Sequence, residues 1–129
     1  IKENKLKNQI KILKNIDNPF PYIRKSNIFI LTSLYEGLPN VLLEAITLKK
    51  YVISSDCPTG PKEILDYGKG GTLFKTNNSN DLKRKIIQTY NNKKDKQTKI
   101  NYSYNNLKKF DSLSNLTKYH DLVKRFLIN

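Results

Sequence analysis

The sequence predicts an α/β fold, a parallel sheet with flanking helices, and three observations carry that expectation. Short apolar runs alternate with stretches of helical periodicity. The joins between them are brief and marked by Gly, Pro and Asn. One run, Ile28-Phe29-Ile30-Leu31, is apolar throughout, as a buried strand is. Alternating strands and helices on short loops imply parallel strands joined by right-handed crossovers. In such sheets ligands sit beyond the C-terminal ends of the strands. At 129 residues the chain is one domain by size and long enough to bury a core.

Taken in order, Ile1 to Asn8 reads as the end of a helix. Gln9 to Leu13 supports two readings: Leu6, Ile10 and Leu13 share a helical face, whereas Ile10 and Ile12 alternate as in a strand. Asn18-Pro19-Phe20-Pro21 is a turn, and Pro21 opens a short helix through Lys25. Asn27 to Leu31 is a strand, followed by a turn at Glu36 and a helix from about Asn40 to Leu48. Tyr51 to Ser54 is the next strand and Ser55 to Thr59 a loop. Gly60 to Leu65 is a short helix with Pro61 in its first turn. Tyr67 to Gly71 reads as a flexible turn before a last edge strand, Thr72 to Phe74. Asn80 to Asn91 presents Leu82, Ile86 and Tyr90 at helical spacing. Asn92 to Thr98 reads as a polar linker to a helix carrying Ile100, Tyr104 and Leu107. Ser112 or Ser114 caps a final helix with Leu116, Tyr119, Val123 and Phe126 on one face.

The net charge of +13 raises the question of a nucleic-acid or anionic-membrane partner. Lys outnumbers Arg by 21 to 3, and Arg is the residue that bidentate phosphate recognition favours. A solvated lysine-rich surface accounts for the charge better than a nucleic-acid groove does, so no nucleic-acid partner is expected. The single cysteine, Cys57, excludes an internal disulfide and fits a reducing compartment. With no signal peptide or membrane-spanning apolar run, the expectation is a cytoplasmic protein.

The stretch Glu36-Gly37-Leu38-Pro39-Asn40-Val41-Leu42-Leu43-Glu44-Ala45 concentrates the candidate chemistry. A strand, a Gly turn and a helix start follow one another, and the helix is apolar except at Glu44. A carboxylate there is costly to bury unless something hydrogen-bonds it. The first N–H groups of a helix lack internal partners and form an anion site. Glu36 and Glu44 are too far apart for a general acid/base pair on one glycosidic bond, which needs about 5–9.5 Å, because eight helical steps span about 12 Å. They suit a longer ligand, one end each.

Ser33 to Ala45 resembles the Glu-x7-Glu signature of retaining glycosyltransferases of family 4, enzymes with the GT-B fold of two Rossmann-like domains. Asp56-Cys57-Pro58-Thr59-Gly60-Pro61-Lys62-Glu63-Ile64-Leu65, followed by Gly71, resembles that family's next block. The likeness runs from roughly Ile10 to Tyr90. It implies an incomplete C-terminal half of a GT-B fold: residues 1–91 a partial nucleotide-sugar-binding Rossmann-like domain, residues 92–129 its C-terminal helical extension. It also turns Ile10 to Leu13 into a strand leading to a base-facing loop, with Lys14 where the family usually has Gly. By the resemblance, Glu36 contacts the hydroxyls of the transferred sugar and is the catalytic-site acid. Gly37, Leu38, Asn40 and Val41 shape and hold the diphosphate, and Glu44 binds the ribose. The donor is a nucleotide-diphosphate sugar, no metal or other cofactor is required, and the N-terminal GT-B domain is an implied partner. Peripheral contact with an anionic membrane follows from the lipid-linked acceptors of many relatives.

Plainer readings stand beside these. Glu44 is equally an acid on a helix edge, and Glu36 a charge complementing the helix dipole. Thr59 and Gly60 line the donor pocket or merely shape a loop. Glu63 completes the first turn of its helix, Cys57 is a small packed residue with no base nearby, and His120 is surface or packing. For the whole chain the rivals are a non-catalytic fragment or split-enzyme subunit that binds a partner domain and, less well supported, a basic nucleic-acid-binding module.

Overall fold

In a computed structural model the chain forms a three-layer α/β unit. The structure describes residue 6 and residues 8–127, apart from the side chains at 120 and 125–127. The expected N-terminal helix end and the roles of His120 and Phe126 lie outside that description. The elements are α1 (Phe20–Lys25), β1 (Ile28–Leu31), α2 (Asn40–Thr47), β2 (Tyr51–Ser55), α3 (Pro61–Ile64), β3 (Thr72–Phe74), α4 (Ser79–Asn91), α5 (Lys93–Asn105), a 3-10 turn (Leu107–Phe110) and α6 (Ser112–Leu127).

The strands are parallel and lie in the order β1-β2-β3. Ile28 is paired with Tyr51 and Leu31 with Ser54, while Ile53 is paired with Thr72 and Ser55 with Phe74. Every residue of β2 is buried, and its period-2 alternation divides the core in two. Val52 joins Ile23, Leu42, Ala45, Ile46, Ile64 and Leu65 under α1, α2 and α3. Tyr51 and Ile53 join Phe74 and Ile100 on the opposite face, beneath α4 and α5. Leu107 and Phe110 then return to the first cluster. Helices on both faces force β2 to be apolar at successive positions, as parallel sheets require.

Three local expectations are corrected. Residues 10–14 form no strand. Ile10 and Ile12 are exposed, β1 is paired only with β2 among the described residues, and an extended segment without a ladder partner gains no sheet hydrogen bonds. The polar stretch after Asn92 is no linker but the opening of α5. Asn92 Oδ1 accepts the Asp95 N–H at 3.1 Å, so one Asn ends α4 and caps its successor. The final helix is capped by Asp111 rather than by Ser112 or Ser114, through the Ser114 N–H at 2.8 Å. Its Leu116 and Tyr119 remain exposed.

The turn read as flexible is tightly packed. A Cβ on Gly70 would stand 2.9 Å from Ser103 Cβ, and one on Gly71 would stand 2.8 Å from Val52 O. Its amides also bond inward, Gly68 N to Leu65 O and Gly70 N to the same carbonyl. Among the described residues no helix is long and apolar enough to cross a membrane.

Candidate functional site

The Glu36 turn and the start of α2 follow β1, so they lie at the C-terminal end of the sheet. Pro39 is buried and occupies the N-cap, where it contributes no N–H and receives no side-chain cap bond. Leu42 N bonds back to Pro39 O at 2.9 Å. The N–H groups of Asn40 and Val41 meet no acceptor among the described residues. Both stand at the positive end of the helix dipole, on an eight-residue helix anchored by buried Leu42, Ala45 and Ile46. Their position gives two fixed donors for an oxyanion.

The two acids sit differently. Glu44 is half-buried on α2, and its carboxylate meets no donor among the described residues. Glu36 is also half-buried, but Oε1 accepts the Ser33 hydroxyl at 2.5 Å. Leu38 and Asn40 are exposed and Val41 packs against the core; the run 36–44, the Glu36 turn and the first half of α2, is termed the ledge.

That ledge is locked to the loop after β2. The Thr59 hydroxyl, 2.8 Å from Pro58 O, donates to Glu36 O. Thr59 and Gly60 both have positive φ, 61° and 77°. A Cβ on Gly60 would stand 2.1 Å from Gly37 O and 2.7 Å from Pro39 Cδ, so only glycine fits the contact. Nothing lies within 4 Å of a Cβ placed on Gly37. Ser55, buried at the end of β2, donates to Ser33 O at 2.6 Å. Thr59 and Gly60 therefore buttress the Glu36 turn.

The roles of Ser33 and Ser55 were missed from sequence. The available signal was a hydroxyl at the end of each of two neighbouring strands, too common a pattern to single out. Cys57 is buried, as expected of a packing residue, and Glu63 sits exposed in the first turn of α3, where it makes no side-chain cap bond among the described residues. Lys62 pairs with Asp56 at 3.2 Å across the same loop.

Cavities open at both ends of the sheet. Leu34, two residues before Glu36, lines one of about 290 Å³ with Thr32, Phe74 and Asn78. A larger one of about 470 Å³, lined by Tyr51, Thr72, Lys85 and Lys99 among others, opens at the opposite, N-terminal end of β2 and β3. It lies away from the ledge, between α4 and α5. Among the described residues no group of His, Cys, Asp or Glu side chains gathers that could hold a metal ion.

With this geometry established, similarity to known proteins decides the family. The profile of the glycosyl transferases group 1 family matches residues 1–106. The chain belongs to that family. An uncharacterized glycosyltransferase of Methanocaldococcus jannaschii is 48% identical to this group 1 chain over 54% of its length, which is 20% of that protein. A Campylobacter jejuni N-acetylgalactosamine-N,N'-diacetylbacillosaminyl-diphospho-undecaprenol 4-alpha-N-acetylgalactosaminyltransferase is 30% identical over 64% of the chain and 22% of its own length. In three dimensions the chain superposes on a mutant of S. aureus TarM, solved with fondaparinux, alpha-GlcNAc-glycerol and UDP. The TM-score is 0.81 at 25% identity, over 94% of this chain and 25% of that one. The parallel sheet with flanking helices is thus the fold shared with part of a GT-B glycosyltransferase, and the chain spans about a quarter or less of the length of these relatives.

Proposed function

We propose that the chain is the donor-binding portion of a retaining, family 4 type glycosyltransferase that takes a nucleotide-diphosphate sugar. The observation that carries this reading is the pair of free N–H groups at Asn40 and Val41, flanked by Glu36 and Glu44. An elongated ligand with a central dianion and hydroxyls at both ends matches that order of donors and acceptors. Glu44 accepts from the ribose, Asn40 and Val41 donate to the diphosphate with Gly37 and Leu38 shaping the approach, and Glu36 accepts from the transferred sugar.

Charge develops on the diphosphate as the sugar leaves. Fixed N–H groups and a helix dipole aimed at that charge stabilise the transition state more than the ground state. The acceptor hydroxyl then attacks the face of the sugar carbon that the diphosphate vacates, its proton passing to the departing phosphate oxygen, which retains configuration. No residue of the ledge calls for a metal in this scheme.

The short span relative to its relatives supports a division of labour in which the acceptor site and further phosphate-binding cations come from a second domain. Residues 1–91 then supply the nucleotide-sugar half and residues 92–129 its helical extension. The setting is cytoplasmic, with the lysine-rich surface available to an anionic membrane where the acceptor is lipid-linked.

The test is titration of the isotope-labelled chain with UDP, ADP and GDP and their sugar conjugates. Binding is expected to move the amide signals of Asn40 and Val41 first. Glu44→Ala is expected to weaken nucleotide binding about tenfold without loss of thermal stability, the scale of one hydrogen bond to a charged group. Unmoved amides across the whole panel overturn the reading.

A further inference from the structure

Glu36 is held at two points, by Ser33 three residues before it and by Thr59 on the loop after β2. Its side chain is tied through Oε1 to Ser33, whose own carbonyl is tied to buried Ser55 at the end of β2. Its peptide carbonyl is tied to Thr59, a residue 23 positions away. We propose that Ser33 and Thr59 are positioning residues that present Glu36 as an oriented acceptor and so determine how strongly the sugar part of the donor is recognised. The proposal rests on the donor-binding reading given above.

The physical case has three parts. A free glutamate carboxylate samples several rotamers, and ordering a long side chain on binding costs entropy that weakens recognition. A hydroxyl on Oε1 removes much of that freedom in advance and leaves Oε2 open to a ligand hydroxyl. The second part is strain. Thr59 is β-branched yet sits at φ 61°, a conformation such residues rarely adopt. A Gly or Asn would hold that backbone more cheaply but has no hydroxyl in the same place to reach Glu36 O.

The third part is the anchor. Both ties end on rigid structure: Ser33 on β2, which is buried along its whole length, and Thr59 on a loop whose next residue touches Gly37 O and Pro39. The nucleotide end of the ledge shares neither tie. Glu44 and the Asn40 and Val41 amides stand on α2, which the core holds independently.

The arrangement makes a prediction that general loosening of the fold does not. Disturbing Ser33 or Thr59 should affect the sugar and spare the nucleotide. The experiment compares affinities of the chain for UDP and UDP-N-acetylglucosamine, ADP and ADP-glucose, and GDP and GDP-mannose, in wild type, S33A, S33T, T59G, E36A and the S33A/E36A double variant.

For whichever pair binds, S33A is expected to weaken the sugar nucleotide about five- to tenfold while leaving the bare nucleotide unchanged, the cost of ordering one long side chain on binding. S33T, which keeps the hydroxyl, should restore the affinity. In the E36A background S33A should have no further effect. T59G should weaken sugar recognition while its thermal midpoint stays level or rises, because strain is relieved.

Equal weakening of nucleotide and sugar nucleotide by S33A, no weakening at all, or an undiminished effect in E36A would each overturn the positioning role while leaving the donor site intact. Failure of every nucleotide and sugar nucleotide to bind the wild-type chain would overturn the donor site itself, and this proposal with it.

Discussion

The two ends of the sheet are built from the same parts to opposite effect. At the C-terminal end, a loop with Gly60 at positive φ and a threonine hydroxyl pins the Glu36 turn. At the N-terminal end, the loop from Asp66 to Gly71 also has positive φ at Asp66, Tyr67 and Gly68, and Tyr102 donates to Asp66 Oδ2. The difference lies in the backbone amides. In the second loop Asp66, Tyr67, Gly68, Lys69 and Gly70 all donate to carbonyls of the preceding turn. Lys99 satisfies Gly71 O at 3.1 Å. At the first end, Asn40 and Val41, which open α2 directly after the pinned Glu36 turn, are left free among the described residues. A loop that saturates its own donors is structural. One held rigid with donors open, as in the donor site proposed above, needs no reorganisation of those groups when a ligand arrives.

The largest effect expected from breaking this contrast belongs to Gly60. Gly60→Ala brings a Cβ against Gly37 O and imposes a strained φ at once. A loss on the order of 3 kcal/mol in stability follows, and nucleotide binding should disappear with the displaced turn. Gly37→Ala, in the signature itself, meets open space and should change stability by no more than about 0.5 kcal/mol. Chemical denaturation of both variants checks the pair. A Gly37 variant as damaged as the Gly60 variant would mean that the turn, and not its buttress, carries the constraint.

Gly71→Ala probes the other end. Its Cβ would stand 2.8 Å from Val52 O, and 3.0 Å from Leu65 Cδ2, in the centre of the core. Overpacking there should cost roughly 2 kcal/mol. Below its unfolding transition, however, the variant should bind nucleotide with the wild-type dissociation constant, because no part of the ledge touches Gly71. Calorimetric titration well below the thermal midpoint separates the two quantities. A matching loss of affinity would show that the two sheet ends are coupled through β2.

The fold was legible because its signals are local. Ile28 to Leu31 and Tyr51 to Ile53 declare strands by continuous apolar composition, although only the second is buried, β1 lying at the edge of the described sheet with Ile30 exposed. Pro21 and Pro61 mark the helix starts where they were expected. What failed depended on partners. Ile10 to Leu13 alternates like a strand, but a strand also needs a neighbour. The start of α5 was hidden because Asn92 to Thr98 is polar on every face, and this first part of the helix buries no residue. The candidate site was legible as a segment and not as a mechanism. Glu36 and Glu44 stood out through their resemblance to a known signature, whereas the Ser33, Ser55 and Thr59 ties join residues as much as 22 and 23 positions apart and leave no periodic trace.

The smallest effect sharpens the comparison by pH. The Tyr102 hydroxyl, more than the Lys69 ammonium on the same oxygen, holds the Asp66 carboxyl below the usual carboxylate range. The same bond to Asp66 pushes the Tyr102 phenol above its ordinary value, with burial adding to it. A carboxyl with a depressed folded pKa stabilises the fold above its unfolded value and loses that contribution as pH falls through the folded one. A raised phenol contributes below its unfolded value and loses its contribution as pH rises through the folded one. The loop from Asp66 to Gly71 should therefore stay protected across the neutral range and loosen at both extremes, strongly acid and strongly alkaline. Tyr102→Phe removes the main cause of the acid-side shift, so the onset of faster amide exchange at Gly68 and Gly70 should move to higher pH, by a small amount because the pair is only half-buried. Because the Asn40 and Val41 amides have no such bond to lose, their accessibility should not change between wild type and Tyr102→Phe at any pH where the chain is folded. Exchange at the two ends moving together would instead mean that Tyr102 supports the whole sheet and that the division between a self-satisfied end and an open one is not energetic.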